Sequence, residues 1–341
     1  MTVPAGAAKP AFTEQFIDLA QPRLGAEVLF ASDDFFAPKE RLIHPAAPVF
    51  YPGRYDDHGK WMDGWESRRK RTAGHDFCVI RLCPGVIEGI EIDTSFFTGN
   101  YPPHASLEGC LPGQHEEHHR DWQEQVDWQV VLTKTPLRGN AVQFFRVNDK
   151  RTWSHVRFHI YPDGGVARLR VYGVAHWDWS ALAQGEWADL AAMRHGGRAL
   201  ACNDMHFGRM SNLIAPGHGV NMGDGWETRR RREPGNDWVM LELGHTGIIQ
   251  RAEIDTTFFK GNYPARCALH GALLEPSQVA TIDAMASYWQ PLLPPVELGP
   301  DRLHLFESEI TQHPLVSHVR FDIYPDGGVS RLRLFGEPVR A

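Results

Sequence analysis

Glu66 and Glu227 each stand between a Gly-Trp pair and a run of cations. The two phrases are Asp63-Gly64-Trp65-Glu66-Ser67-Arg68-Arg69-Lys70-Arg71 and Asp224-Gly225-Trp226-Glu227-Thr228-Arg229-Arg230-Arg231-Arg232. A carboxyl group can move a proton in a reaction, and a guanidinium fork can hold a carboxylate ligand. Within an extended run neighbouring side chains point to opposite faces, so only alternate arginines among Arg68, Arg69, Arg229 and Arg230 can serve one ligand. Glu66 and Glu227 can equally well pair with these arginines.

Further candidates come in pairs. Asp93 and Asp255 end strand-like segments, and each is followed by Thr, a Ser or Thr, and two Phe residues. They are acid–base candidates, or aspartates capping a turn through nearby backbone amides. The same loops end in Asn100-Tyr101-Pro102 and Asn262-Tyr263-Pro264, which offer amide and phenol groups to a ligand, or simple turn chemistry. His155 and His318 open the closing segments Ser154-His155-Val156-Arg157-Phe158 and Ser317-His318-Val319-Arg320-Phe321. Each could act as acid, base or structural donor. Asp34 and Asp204 lie in early loops before Leu42-Ile43 and Leu213-Ile214 and are candidate ligand contacts.

Every one of these features occurs twice. Trp65 and Trp226 are 161 residues apart, Asp93 and Asp255 are 162 apart, and His155 and His318 are 163 apart. So slow a drift implies few insertions. A period this long marks a duplicated domain rather than a short solenoid repeat. The predicted organisation is a first repeat over 1–175, a Trp-rich linker over 176–198 and a second repeat over 199–341.

Each copy reads as many short strands. Phe77 to Leu82 and Trp238 to Leu243 are apolar and bounded by turn residues, and Val86 to Asp93 and Ile248 to Asp255 follow after one turn. His155 to Tyr161, the turn Pro162-Asp163-Gly164-Gly165 and Val166 to Gly173 predict a β-hairpin. Its Val156, Phe158, Ile160, Ala167, Leu169 and Val171 would face inward, and Arg168 and Arg170 outward. Helical segments are expected only at Gln114 to Val126, Ser277 to Trp289 and Trp179 to Met193. The expected class is all-β: two tandem jelly-roll β-sandwich domains related by internal duplication.

Composition bounds the function. Of 341 residues 42% are hydrophobic and 23% charged, as in a globular protein of two domains. A net charge of −7 disfavours nucleic acid as a partner. No run has the roughly 18 apolar residues of a membrane span. The five cysteines lie at positions not shared by the copies and lack C-x-x-C spacing, so free thiols in a reducing cytoplasm are expected. The N-terminus shows no basic and apolar pattern of a secretory signal. His115-Glu116-Glu117-His118-His119 matches H-E-x-x-H, the helix of zinc proteases. The second copy has no such residues near Ser277 to Ala284, no third ligand stands out, and a sandwich is the wrong architecture. No metal ligands are therefore assigned. The sequence requires no cofactor, although a divalent metal is compatible with it, as is a homo-oligomer.

Asp224-Gly225-Trp226-Glu227-Thr228-Arg229, then a strand and Gly247-Ile248-Ile249, resembles the core pattern of galactose-binding-like jelly rolls. More specific is the doubled set Gly-Trp-Glu-[Ser/Thr]-Arg-Arg, Glu-Ile-Asp-Thr-x-Phe-Phe-x-Gly-Asn-Tyr-Pro and His-Val-Arg-Phe-x-Ile-Tyr-Pro-Asp-Gly-Gly. It resembles the allantoicase family over about Phe16 to Gly336. The resemblance implies two jelly-roll repeats and hydrolysis of allantoate to ureidoglycolate and urea in purine degradation. Allantoate is a carboxylate whose α-carbon carries two ureido groups. It calls for an arginine fork, amide partners, an acid on the leaving nitrogen and a base for water. Urea could leave through an imine-like intermediate or by direct displacement. The competing reading is a non-catalytic tandem carbohydrate-binding, lectin-like module. The Asp, Glu, Arg and His in the doubled loops favour the enzyme.

Overall fold

The computed structural model describes residues 9–112, 122–275, 289–310 and 314–339. The chain divides between His176 and Trp177 into two compact units. The first contains β1 (Ile17–Asp18), β2 (Glu27–Ala31), β3 (Tyr55–Asp56), β4 (Gly59–Lys60), β5 (Trp65–Glu66), β6 (Asp76–Asp93) and β7 (His104–Cys110). It continues with β8 (Gln129–Pro136), β9 (Val142–Arg146), β10 (Thr152–Tyr161), β11 (Gly165–Val166) and β12 (Arg168–Ala175). The second contains β13 (Ala188–Asp189), β14 (Arg198–Cys202), β15 (Trp226–Glu227), β16 (Asp237–Asp255) and β17 (Arg266–Ala272). It ends with β18 (Gln290–Glu297), β19 (Leu303–Phe306), β20 (Leu315–Tyr324), β21 (Gly328–Val329) and β22 (Arg331–Pro338). Each unit builds its own eight-stranded antiparallel network, in the orders β1-β12-β6-β10-β7-β8 and β13-β22-β16-β20-β17-β18.

The all-β, duplicated jelly-roll class stands, but the strands are fewer and longer than the sequence suggested. Phe77–Leu82 and Val86–Asp93 are one strand, β6, of 18 residues. Its first half pairs with β2 and β10, and its second half with β9 and β12. A single strand thus passes from one layer of the sandwich to the other. Pro84, which cannot donate to a ladder, sits at the crossing and accepts from His176 N–H through its carbonyl (2.7 Å). Ile80, Ile90, Ile92, Phe158, Leu169 and Val171 are fully or almost fully buried. Each such side chain contributes roughly 1.5–3 kcal/mol.

The closing hairpin is not a hairpin. β10 pairs with β6 and β7, whereas β12 pairs with β6 and β1. The Pro162–Gly165 turn carries the chain between layers, and Gly165-Val166 pairs with β5 instead. Gly164 has φ +138°, and a Cβ on Gly165 would sit 1.9 Å from the Phe97 ring, so both turn glycines are required. Arg168 and Arg170, expected in water, are buried. Arg168 donates to Asp63 Oδ2 (2.8 Å) and to Ala46 O (2.9 Å), and Arg170 to His44 O (2.6 Å). The loop after Ile43 covers that face, and its unpaired carbonyls take up the guanidinium protons.

The segment 176–198 is not helical over Trp179 to Met193. It forms a 3-10 turn at Trp179–Ala181, then strand β13, which joins β22, then a second 3-10 turn at Met193–His195. Trp177 and Trp179 pack on His195, and Trp179 also on His245. Of the helix expected at Gln114 to Val126, residues 122–126 are described, with Trp122–Gln125 helical. The rest of it, the H-E-x-x-H phrase and nearly all of Ser277 to Trp289 lie outside the described residues. Among the described residues no helix is long and apolar enough to cross a membrane.

Candidate functional site

Four loops meet at one end of the first unit, and Glu66 stands among them. Trp65 is fully buried and donates its indole N–H to Asp33 O (2.8 Å), which anchors β5 under the early loop. Glu66 pairs through its backbone with Ala37 on one side and Gly165 on the other. Gly165 N–H in turn donates to Asn100 O (2.7 Å). The Asn100 amide is thereby placed to donate from Nδ2 to Glu66 Oε1 at 2.6 Å. Burial raises the Glu66 carboxyl above the usual range, and the Asn100 hydrogen bond only partly offsets it. The second unit repeats the arrangement. Trp226 donates to Asp204 O (2.8 Å), Glu227 pairs with Gly208 and Gly328, and Asn262 Nδ2 donates to Glu227 Oε1.

The arginines divide as alternation requires. Arg68 donates from Nε to Asp33 Oδ2 (2.7 Å) and from its backbone to Oδ1 (2.9 Å). Arg229 binds Asp204 identically, Nε to Oδ2 at 2.7 Å. Burial would raise both aspartates, but the arginine hydrogen bonds outweigh it and hold them below the ordinary carboxylate range. Arg69 and Arg230, one residue on, are exposed. They have no hydrogen bond or ion pair to another described residue, so their guanidinium groups are free for an anion.

The early-loop pairing of Asp34 with Asp204 needs correction. The counterpart of Asp204 is Asp33; Asp34 is half-buried and takes no part in the arginine pair. Asp33 and Asp204 are 171 residues apart, whereas Trp65 and Trp226 are 161 apart, so the first unit holds ten extra residues between them. They include the β3–β4 hairpin. Its His58 stacks on Phe35 (4.5 Å between ring centroids), over which Arg68 also lies (5.1 Å). Ser32 against Asn203 was the available signal. Each accepts the backbone N–H at the start of β6 or β16, from Phe77 (3.0 Å) and Trp238 (2.8 Å).

Other candidates have internal partners. Asp93 and Asp255 are buried and accept from the N–H two residues on, Ser95 (2.7 Å) and Thr257 (2.8 Å), as turn caps do. Tyr101 packs beside Phe97, Met62 and Ala167, and Tyr263 is half-buried in the matching place. His155 and His318 are not on a polar face. Both are buried in central strands and meet the preceding serine through Nδ1, at 3.0 and 2.8 Å. Burial lowers both imidazoles, His155 to about 4. β10 is covered on both faces there, with Trp122 edge-on to His155, so the polar alternation read from the sequence does not hold. Among the described residues no three His, Cys, Asp or Glu side chains are grouped as ligands of one metal ion.

The sequence profile of the allantoicase repeat matches residues 17–176 and 188–339, the two units in turn. The chain belongs to the allantoicase family. A probable allantoicase 2 of Burkholderia pseudomallei is 52% identical over 329 residues, 96% of each chain. A probable allantoicase of Pseudomonas aeruginosa is 51% identical over 332 residues, 97% of this chain and 98% of the other. The crystal structure of allantoicase from Saccharomyces cerevisiae superposes with a TM-score of 0.75 at 34% identity, over 95% of this chain and 94% of that one. In this allantoicase-family chain the duplicated profile and the duplicated Glu–Asn contact coincide.

Proposed function

We propose that the four-loop end of the first unit is where this allantoicase-family chain splits allantoate into ureidoglycolate and urea. The matching end of the second unit is a second such place. The observation that carries the assignment is the Glu66–Asn100 contact, repeated as Glu227–Asn262; the uncommitted Arg69 and Arg230 follow three residues on along the same segments. Arg69 takes the substrate carboxylate. Asn100 fixes Glu66 through Oε1, which leaves Oε2 to carry a proton, and burial raises the population of that protonated form. As the bond from the α-carbon to nitrogen breaks, Glu66 protonates the departing ureido nitrogen, a water oxygen bonds to the carbon in its place, and the proton that water loses returns to Glu66. Five cysteines, all free thiols, fit a cytoplasmic enzyme. The test is urea release from allantoate by the purified full chain, compared with Glu66→Gln, Glu227→Gln and the double variant. Full activity in the double variant would remove both glutamates from the reaction.

A further inference from the structure

Where β10 pairs with β7 in the first unit's sheet, three titratable side chains form a continuous chain. His75 Nε2 lies 2.8 Å from His159 Nδ1, and His159 Nε2 lies 2.8 Å from Glu108 Oε2. Arg157 donates to the same carboxylate oxygen from Nε (2.8 Å) and Nη2 (2.6 Å). Burial would raise Glu108, but His159 and Arg157 outweigh it and keep it ionised. An ionised carboxylate only accepts. His159 must then donate from Nε2. Its ring, which burial keeps neutral, must accept at Nδ1, so His75 donates from Nε2. The lone pair of the whole chain therefore ends at His75 Nδ1. This is the logic by which a carboxylate fixes the tautomer of a catalytic imidazole, extended by one ring.

What surrounds His75 suits an anion. Its ring leans on Tyr161 (4.4 Å between centroids). The exposed ammonium of Lys134 lies 4.2 Å from the centroid of the Tyr161 ring, and its charge reaches His75. Tyr161 hydroxyl is 2.9 Å from Ser106 Oγ. Lys70, whose charge also reaches His75, is already paired with Asp76 (2.6 Å).

The second unit retains the carboxylate, the imidazole and the arginine but exchanges two of them. His270 stands where Glu108 does, opposite the arginine, and Asp322 where His159 does. His270 Nδ1 is 3.1 Å from Asp322 Oδ2, and Arg320 Nη2 is 2.9 Å from Oδ1. Asn236 replaces His75 and donates to Asp322 Oδ1 (2.8 Å). Both units thus place a carboxylate-bound imidazole at this strand pairing. Only the first extends it to the lysine-flanked position.

We propose that this relay serves a second small-carboxylate site of the first unit, where Lys134 holds the anion and His75 activates water. The proposal rests on allantoate hydrolysis as the reaction, not on Glu66. His75 Nδ1 takes a proton from water while the water oxygen bonds to the substrate α-carbon. The bond from that carbon to the ureido nitrogen breaks, and the nitrogen keeps the electron pair and receives the proton back from Nδ1. Urea leaves, with no oxidation or reduction. Charge on the His75 imidazolium is balanced through His159 by Glu108.

His75→Asn is the variant of choice, because asparagine already occupies this position in the second unit. In imidazole nitrogen NMR of the full chain, His75 should be the Nε2–H tautomer. Added acetate should shift its signals saturably, and at least fivefold more weakly in Lys134→Met. With allantoate, His75→Asn added to the Glu66→Gln/Glu227→Gln variant should lower the remaining kcat/KM by roughly 10²-fold or more at an unchanged melting temperature, as loss of a positioned base does. An Nδ1–H tautomer, signals indifferent to acetate, or no fall in the remaining kcat/KM when His75→Asn is added to the double variant would each overturn the proposal. Loss of activity in His75→Asn but not in the Glu66 and Glu227 variants would refute only the four-loop reading. Absence of urea release by the unaltered chain would refute the reaction itself.

Discussion

Asn100 donates a hydrogen bond to Glu66 at 2.6 Å across 34 residues of sequence, and Asn262 does the same for Glu227. The bond leaves one carboxylate oxygen uncommitted. If that oxygen carries the catalytic proton, the Glu66→Gln/Glu227→Gln double variant should lower kcat/KM for allantoate by roughly 10²–10⁴-fold while the thermal midpoint holds, and either single variant should keep the other unit's share. Asn100→Ala should have a smaller effect of the same sign. Steady-state urea release and thermal melts on the same samples check both.

Arg69 and Arg68 should separate cleanly. Arg69 is uncommitted, whereas Arg68 is held by Asp33. Arg69→Met together with Arg230→Met should raise KM for allantoate at least tenfold, as loss of both carboxylate forks does. Arg68→Met should change stability by no more than about 1 kcal/mol, since the Arg68 side chain of that pair is 63% exposed. An equal kinetic effect of Arg68→Met would contradict this division.

The Arg168–Asp63 pair is of another kind, with side chains only 2% and 12% exposed. Asp63→Asn or Arg168→Met should destabilise the first unit by about 3–5 kcal/mol, because each strands a buried charge or leaves loop carbonyls unsatisfied. Denaturant melts would show the loss. Replacing both residues should cost less than the sum of the two.

His155 predicts a pH dependence of stability. Burial depresses its folded pKa from 6.5 to about 4. Between those values the unfolded chain binds more protons, so this residue makes stability rise with pH across the window. The contribution is about 3 kcal/mol, fully present above the unfolded pKa and lost as pH falls to the folded one. His155→Asn should flatten the rise between pH 4 and 6.5. An unchanged slope would mean that the imidazole is not desolvated.

The duplication and the all-β class were legible because each copy checks the other; the same check singled out Glu66 and Asn100, which the fold joins by a hydrogen bond. What was not legible depended on layers. Alternation along 166–173 predicts arginines in water, but a loop more than a hundred residues earlier covers them, and only the fold shows it. Pro84 and Gly85 read as a turn between two strands, yet they sit inside one strand at a change of partner. Asp33 was missed for its neighbour because counting between copies breaks at the β3–β4 insertion. The relay from His75 to Glu108 joins a loop residue just before β6 to residues on β10 and β7, and no local spacing announces it.

The exchange of acid and imidazole between the units also bears on how the gene can recombine with itself. A crossover that carried the His270 region into the first half would set His270 against His159, two imidazoles with no carboxylate between them. The reciprocal product would set Glu108 against Asp322, two like charges beside a single arginine. Each half is therefore consistent only with itself. A consensus repeat averaged over the two would inherit one of these conflicts unless both positions were moved together.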